Sequence, residues 1–438
     1  MAQEPERVPL ALIAREWGRI GCIGFGGPPA HIALLRTLCV RDRGWLAGSE
    51  FEDGIAVCNL LPGPASTQLA IYCAWRLRGT AGALVGGFCF IFPGLVVILA
   101  LATLFLAARP PGWMSGAALG AGAAVPAVAV AAALGLIPAS WRRAGQLPAG
   151  HARAAEGQAH PSNGAHVDPS GTGGTHGGET RDDGAVPGRA ERVRARSAHV
   201  RWSLYLAVGA AAGALLGPWL VLILAACGLI EVAVRSRALA RPKPPPRGAM
   251  LLTAAGGTFA VGGLTAVVWV AFKVGALSYG GGFVIIPLMQ RDAVHTYHWM
   301  SSGQFLTAVA LGQVTPGPVV QTVAVVGYAA AGVGGGLLAS VVAFAPSFAF
   351  VLGGGRYFDR LRNNAGVQAF LTGAGPAAIG AIAGAAVPLG LALDHLWQAV
   401  VLAVAAVWHI GLRRGVVTTI VGAAAVGVIV FLAGGPVA

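Results

Sequence analysis

The chain has 438 residues, of which 55% are hydrophobic and only 11% charged, and its mean hydropathy is +0.69. That is far from the roughly 25% charged expected of a soluble domain, so the class is an all-α polytopic membrane protein. The net charge of +13 does not point to nucleic acid, because Arg and Lys cluster between apolar segments, where they set orientation in the bilayer.

In chain order, the first apolar stretch, Ala14 to Leu38, breaks at Gly24-Phe25-Gly26-Gly27-Pro28-Pro29. Two glycines followed by two prolines cannot continue a helix, and a re-entrant hairpin is expected there. After the polar joint Arg41 to Gly48 come two short apolar pieces, Phe51 to Leu61 and Pro64 to Trp75, each well below the roughly 20 residues a crossing needs. Pro62-Gly63-Pro64 lies between them as a tip, with Pro64 suited to a first helical position. Longer runs follow at Ala81 to Ala107 and Gly116 to Ile137, then Leu204 to Leu216 and Trp219 to Val234, separated by Gly217-Pro218. The stretch from Arg142 to Arg201, rich in Gly, Ala, His and Arg, has few large apolar residues and is expected to be a disordered loop. A basic connector with Pro244-Pro245-Pro246 leads to an apolar run, Leu251 to Val270, read as a linker helix. Cys22, Cys39, Cys58, Cys73, Cys89 and Cys227 show neither CxxC pairing nor metal-ligand spacing, and the scattered histidines of the loop lack ligand spacing too, so no metal and no cofactor is expected. No removable signal peptide is expected at the N-terminus.

The tip word returns once, at Pro316-Gly317-Pro318, 254 residues further on. At the same offset Gly24-Phe25-Gly26-Gly27 falls on Ser278-Tyr279-Gly280-Gly281, Trp45 on Trp299 and Phe51 on Phe305. One residue is then lost, so that Pro93 meets Pro346 and Gly120-Ala121-Gly122 meets Gly373-Ala374-Gly375 at 253. The chain is two copies of one unit. Residues 1–141 with 202–234 make the first repeat, 142–201 the loop, 235–270 the connector and linker helix, and 271–438 the second repeat. Loop charge alternates between the copies: Arg76 and Arg78 face the uncharged Ala329 to Gly336, whereas uncharged Gly217-Pro218 faces Arg413-Arg414. That alternation argues for inverted repeats with the large loop in the cytoplasm. Roughly nine crossings and four re-entrant or broken segments are expected, with the C-terminus outside.

Interrupted helices at matching places in two inverted halves point to a transport site. Helix starts after the two tips would aim unpaired N–H groups at the midplane, a seat for an anion. Arg19 and Lys273 stand at equivalent places in the two copies, and an intramembrane cation costs about 2.5–3.5 kcal/mol, so both are candidate anion ligands. Glycines of the breaks, Gly26, Gly27, Gly63, Gly280, Gly281 and Gly317, are candidates for close backbone approach. The neutral polar residues pair as Asn59 with Gln313, Thr67 with Gln321 and Gln68 with Thr322, donors suited to a compact oxyanion. Glu16 and Asp53 are the candidate proton-coupling carboxylates; an ion pair with Arg15 or Arg19 is the alternative role.

Phe25-Gly26-Gly27-Pro28-Pro29-Ala30-His31, Leu61-Pro62-Gly63-Pro64-Ala65-Ser66-Thr67-Gln68, Phe92-Pro93-Gly94 and, in the second half, Tyr279-Gly280-Gly281-Gly282-Phe283 with Val314-Thr315-Pro316-Gly317-Pro318-Val319 resemble the chromate ion transporter family in its long two-domain form. The resemblance implies a non-enzymatic plasma-membrane exporter of chromate, driven by the membrane potential or a proton gradient and conferring resistance. Gln68 stands where some members carry an acidic residue, and the 142–201 loop is longer than the family's pattern. Chromate and sulfate are both tetrahedral dianions of similar size, so a sulfate importer or passive anion channel is the rival reading, with sulfate as competitor. The partners implied are chromate, protons, the lipid bilayer and a second copy of the chain in a homodimer. A chromate reductase is disfavoured because the glycine clusters are not phosphate-binding strand-turn-helix loops.

Overall fold

A computed structural model describes residues 8–58, 61, 63–106, 111–145, 189–215, 220–239, 263–278, 285–354 and 364–436. The described residues form fourteen α-helices with short 3₁₀ and π extensions and no strand, as expected for an all-α membrane protein. The first seven are α1 (Leu10–Ile23), α2 (Pro28–Arg36), α3 (Gly48–Cys58), α4 (Ala65–Phe105), α5 (Gly112–Gly145), α6 (Arg189–Leu215) and α7 (Leu220–Leu239). The second seven are α8 (Leu264–Leu277), α9 (Ile286–Gln290), α10 (Ser302–Val314), α11 (Thr322–Gly354), α12 (Ala365–Leu391), α13 (Leu396–Ala406) and α14 (Val416–Leu432).

The duplication holds to the backbone. Shifted by 254, α1 falls on α8, and the π turn Thr37–Asp42 after α2 falls on the π turn Arg291–Thr296 after α9. The run expected as a linker helix therefore continues past 270 to Leu277 and is the counterpart of α1; residues 251–262 lie outside the described residues. Helix also reaches into both ends of the expected loop, at 142–145 and from Arg189, where Ala, Arg and Glu favour it; residues 146–188 are outside the described set.

The short piece expected after each tip runs on into the next apolar run, and the two together form a hairpin. α4 is one element of 41 residues, but Arg78 (φ −146°, ψ 21°) and Gly79 (φ 62°, ψ −148°) break it, and its limbs fold back so that Gly86 lies on Ala74 and Gly87 on Ile71. α11 does the same at Ala331 and Gly332, with φ 62° again at the glycine and Gly327 against Gly335. A positive φ is cheap only for glycine, so these turns are fixed by sequence. In the first copy the limb starts as α-helix at Ala65; in the second it starts with a 3₁₀ turn, Val319–Gln321. The 3₁₀ turn rises about 2.0 Å per residue against 1.5, and this is where the single lost residue goes. The Pro64 carbonyl accepts from both the Thr67 and the Gln68 amides at 3.0 Å, and the Pro318 carbonyl accepts from the Gln321 amide at 2.9 Å. By its backbone bond Gln321 remains the counterpart of Thr67, while its side chain lies at Gly317 as that of Gln68 lies at Gly63.

The two units are interwoven. α6 and α7 of the first pack on α12 of the second, while α13 and α14 pack on α5. Glycines let these backbones touch: Gly209 and Gly213 against Ala377 and Ala381, Gly116 and Gly120 against Gly427 and Ala423, as small residues do at helix crossings in lipid. α6 and α7 form a hairpin, not one long kinked helix. Arg201 and Arg235 both hold Glu231, at 2.9 and 2.8 Å, whereas residues 201 and 231 of a straight helix would be about 45 Å apart. The equivalent return limbs of α4 and α11 pass each other antiparallel, with Gly87 against Phe348 at one end and Leu99 against Gly336 at the other. Four of the described helices, α4, α5, α11 with its 3₁₀ start, and α12, are long and apolar enough to cross a membrane.

Candidate functional site

The two tips are held by each other's repeat. The Gly63 amide donates to the Ser278 carbonyl at 2.9 Å, and the Gly317 amide donates to the Gly24 carbonyl at 3.0 Å. Gly24 and Ser278 are the 254-related ends of α1 and α8, so the pairing is reciprocal. Each tip also faces the proline kink of the other unit. Ser347, after Pro346, lies at Gly63, and Gly94, after Pro93, lies at Pro316 and Gly317. The tip glycines have φ 125° and 99°, and a side chain on Gly63 would run into the Gln68 amide. Gln321 completes the second tip by donating Nε2 to the Ile91 carbonyl at 2.6 Å.

Several buried polar atoms on the segments that meet here have nothing to bond. Thr67 Oγ1, Ser278 Oγ, Ser347 Oγ, Gln313 Nε2 and Gln321 Oε1 have no hydrogen-bond partner, and all five residues are buried. A buried polar group left unsatisfied costs about 1–3 kcal/mol. Four of the five are hydroxyls or an amide nitrogen, which can donate. The arrangement is a preformed set of neutral donors beside two helix starts, chemistry that suits the oxygens of an anion.

The expected site residues divide by position. Gly63, Gln68, Gly317 and Gln321 are at the crossing, and Thr67 and Gln313 are buried on the helices that flank the two tips. Gly27 (φ 73°) faces Val319 at the second tip, whereas Gly26 (φ 97°) is exposed beside it. Thr322 is buried but donates to the Val319 carbonyl at 2.8 Å. Asn59, Gly280 and Gly281 lie outside the described residues. Arg19 is not in the crossing: its side chain is 71% exposed and sits 3.8 Å from Glu16. Glu16 holds Arg43 at 2.9 Å. Lys273 is bonded to Asp292 at 2.5 Å and lies over the Trp269 ring. Asp53 is exposed on α3.

Residues not anticipated from the sequence are Ser278, Ser347, and the buried pair His31 and Ser66. His31 Nε2 is 2.9 Å from the Gly24 carbonyl and its Nδ1 is 3.3 Å from Ser66 Oγ, with Phe90 edge-on to the ring. Nε2 therefore carries the proton to the same carbonyl that receives the Gly317 amide. Ser278 and Ser347 were legible as the 254- and 253-shifted mates of Gly24 and Gly94, but matching them required knowing that tips pair across repeats. Among the described residues no group of His, Cys, Asp and Glu is arranged to hold a metal.

The chain matches the family described as Chromate transporter over residues 11–232 and 265–428, limits that follow the two seven-helix units. It is 27% identical to the chromate transport protein of Cupriavidus metallidurans over 85% of this chain and 80% of that protein. It is 26% identical to the probable chromate transport protein of Synechococcus elongatus over 94% and 93% of the two chains, and 26% identical to the chromate transport protein of Pseudomonas aeruginosa over 85% and 79%. No solved structure matches. The crossed tips, the duplicated seven-helix units and the match across both of them lead to one conclusion: the chain belongs to the chromate transporter family.

Proposed function

We propose that the protein exports chromate across the plasma membrane by alternating access, with the dianion seated at the crossing of the two tips. The observation that carries this reading is the reciprocal Gly63 to Ser278 and Gly317 to Gly24 pairing, flanked by buried donors with no protein partner. The seat is neutral. Thr67, Ser278, Ser347 and Gln313 donate to the oxygens of the ion, and the starts of α4 and α11 direct positive dipole ends toward it. Lys273 and Arg19 act on the protein's own carboxylates rather than on the ion. The antiparallel passage of equivalent limbs supports inverted repeats, a design in which exchanging the conformations of two halves exposes one site to opposite sides. The Lys and Arg pattern supports a cytoplasmic 142–201 loop.

The test is uptake of radiolabelled chromate into everted membrane vesicles carrying the protein, with and without an imposed potential or pH gradient and with excess sulfate. Energised accumulation that resists sulfate is expected. Vesicles that accumulate nothing while whole cells take up sulfate would reverse both direction and substrate.

A further inference from the structure

We propose that Ser140 and Arg143, on the last turns of α5, form an outer binding site that captures the tetrahedral oxyanion before it reaches the crossing; the inference rests on the transport reading above. A cavity of about 90 Å³ runs from Gly63 and Ala65 at the first tip, between α5 and α12, to Ser140 and Arg143. The two residues are three apart and share a helix face. Trp202 Nε1 donates to Ser140 Oγ at 2.9 Å, which leaves the serine's own O–H to donate to a ligand. Across the cavity, Thr372 commits its proton to the Gln368 carbonyl at 2.7 Å. Donor character is therefore concentrated on α5.

Of the described residues that line the cavity, Arg143 is the charged one. Arg19, Arg36, Arg43, Arg76 and Lys273, the other cations around α1 to α4 and α8 with ion pairs, each hold a carboxylate. Among the described residues no carboxylate pairs with Arg143. A dianion moving to a neutral seat needs a cation on its way in, and a planar guanidinium offers two parallel N–H groups to two oxygens of one tetrahedron. The feature is one-sided. The 253-shifted mates of Ser140 and Arg143 are Leu393 and Leu396. The mate of Leu136, which is half-buried in the cavity wall, is Leu389, buried to 0%. The cavity's serine and arginine thus have no polar counterpart in the second copy.

Equilibrium binding of radiolabelled chromate to the purified full-length chain tests this, together with initial transport rates in vesicles of both orientations. Arg143→Gln is expected to weaken binding roughly tenfold or more and Ser140→Ala less, while Arg143→Lys recovers part of the loss. In vesicles the KM should rise for chromate presented on the face carrying the α5 C-terminus and stay unchanged from the opposite face, a split that a general loss of packing would not give. Wild-type affinity in Arg143→Gln, or a KM raised equally from both faces, overturns the inference and leaves the transport reading standing. Absence of saturable chromate binding by the unmodified protein overturns both. Should Arg143→Gln fail to reach the membrane, Ser140→Ala carries the test, and wild-type affinity in that variant overturns the assignment.

Discussion

At the scale of single residues, the donors at the crossing have a signature that ordinary core hydroxyls lack. Ser278 and Ser347 are buried with unpaired hydroxyls, so replacing them by Ala removes a desolvated polar group and should not lower thermal stability. The same replacements remove hydrogen bonds to a charged ligand, each contributing about 1.5–3 kcal/mol, so chromate affinity should fall at least tenfold. Thermal unfolding and chromate titration of the two alanine variants would then move in opposite senses. A loss of both would mark the serines as structural. Lys273 gives the converse case. Its bond to Asp292 lies in a largely buried setting, with side chains 18% and 12% exposed. Lys273→Gln leaves an unpaired carboxylate and should cost about 3 kcal/mol, whereas Lys273→Gln with Asp292→Asn should recover most of the stability. Equal unfolding temperatures for the single and double variants would show that the pair is not coupled.

At the scale of elements, the interruption at Pro62-Gly63-Pro64 was legible because glycine and proline punctuate it in ways that admit few solutions, whereas the hairpin turn at Gly79, which joins the second short piece to the next apolar run, was not. Pieces of about eleven residues flanking Pro62-Gly63-Pro64 cannot cross a bilayer. The 3₁₀ start at Val319–Gln321 was not legible, since a one-residue deletion in an alignment of two copies has no marked place. It brings the Gln68 and Gln321 side chains to the same place beside their tip glycines. Arg19 and Lys273 are at equivalent positions of α1 and α8, but what each side chain pairs with depended on carboxylates, Glu16 and Asp292, that have no counterpart in the other copy. Tip geometry makes its own prediction. Gly63→Ala and Gly317→Ala place a Cβ at φ 125° and 99°, strain of about 1–3 kcal/mol each. Gly63→Ala, which also meets the Gln68 amide, should lose more transport than Gly317→Ala in vesicle assays. The reverse order would mean that backbone strain alone decides.

At the scale of the whole molecule, the fold is two interwoven seven-helix units in which each supplies the partner for the other's interrupted helix. Duplication was visible in the sequence down to the offset; interweaving was not, because it depends on which glycine stripe of α5 and α12 receives which hairpin. The close packing of α5 on α10 has a consequence for movement. A Cβ on Gly122 would lie 3.1 Å from the Leu306 Cβ, close to disulfide range. In a background lacking native cysteines, Gly122→Cys with Leu306→Cys should form a bond that holds the two helices together. Transport should stop on oxidation and return on reduction, with chromate binding retained throughout. Transport unaffected by the bond would show that these helices do not move apart.

The central claim is that the ion passes through the crossing of the tips. Chromate flux into proteoliposomes of purified protein, comparing the unmodified chain with Ser278→Ala and Ser347→Ala combined, tests it most directly. Saturable flux with a KM raised at least tenfold in the double variant, and an unchanged unfolding temperature, is the predicted result. Identical kinetics for the two proteins would place the transport path elsewhere.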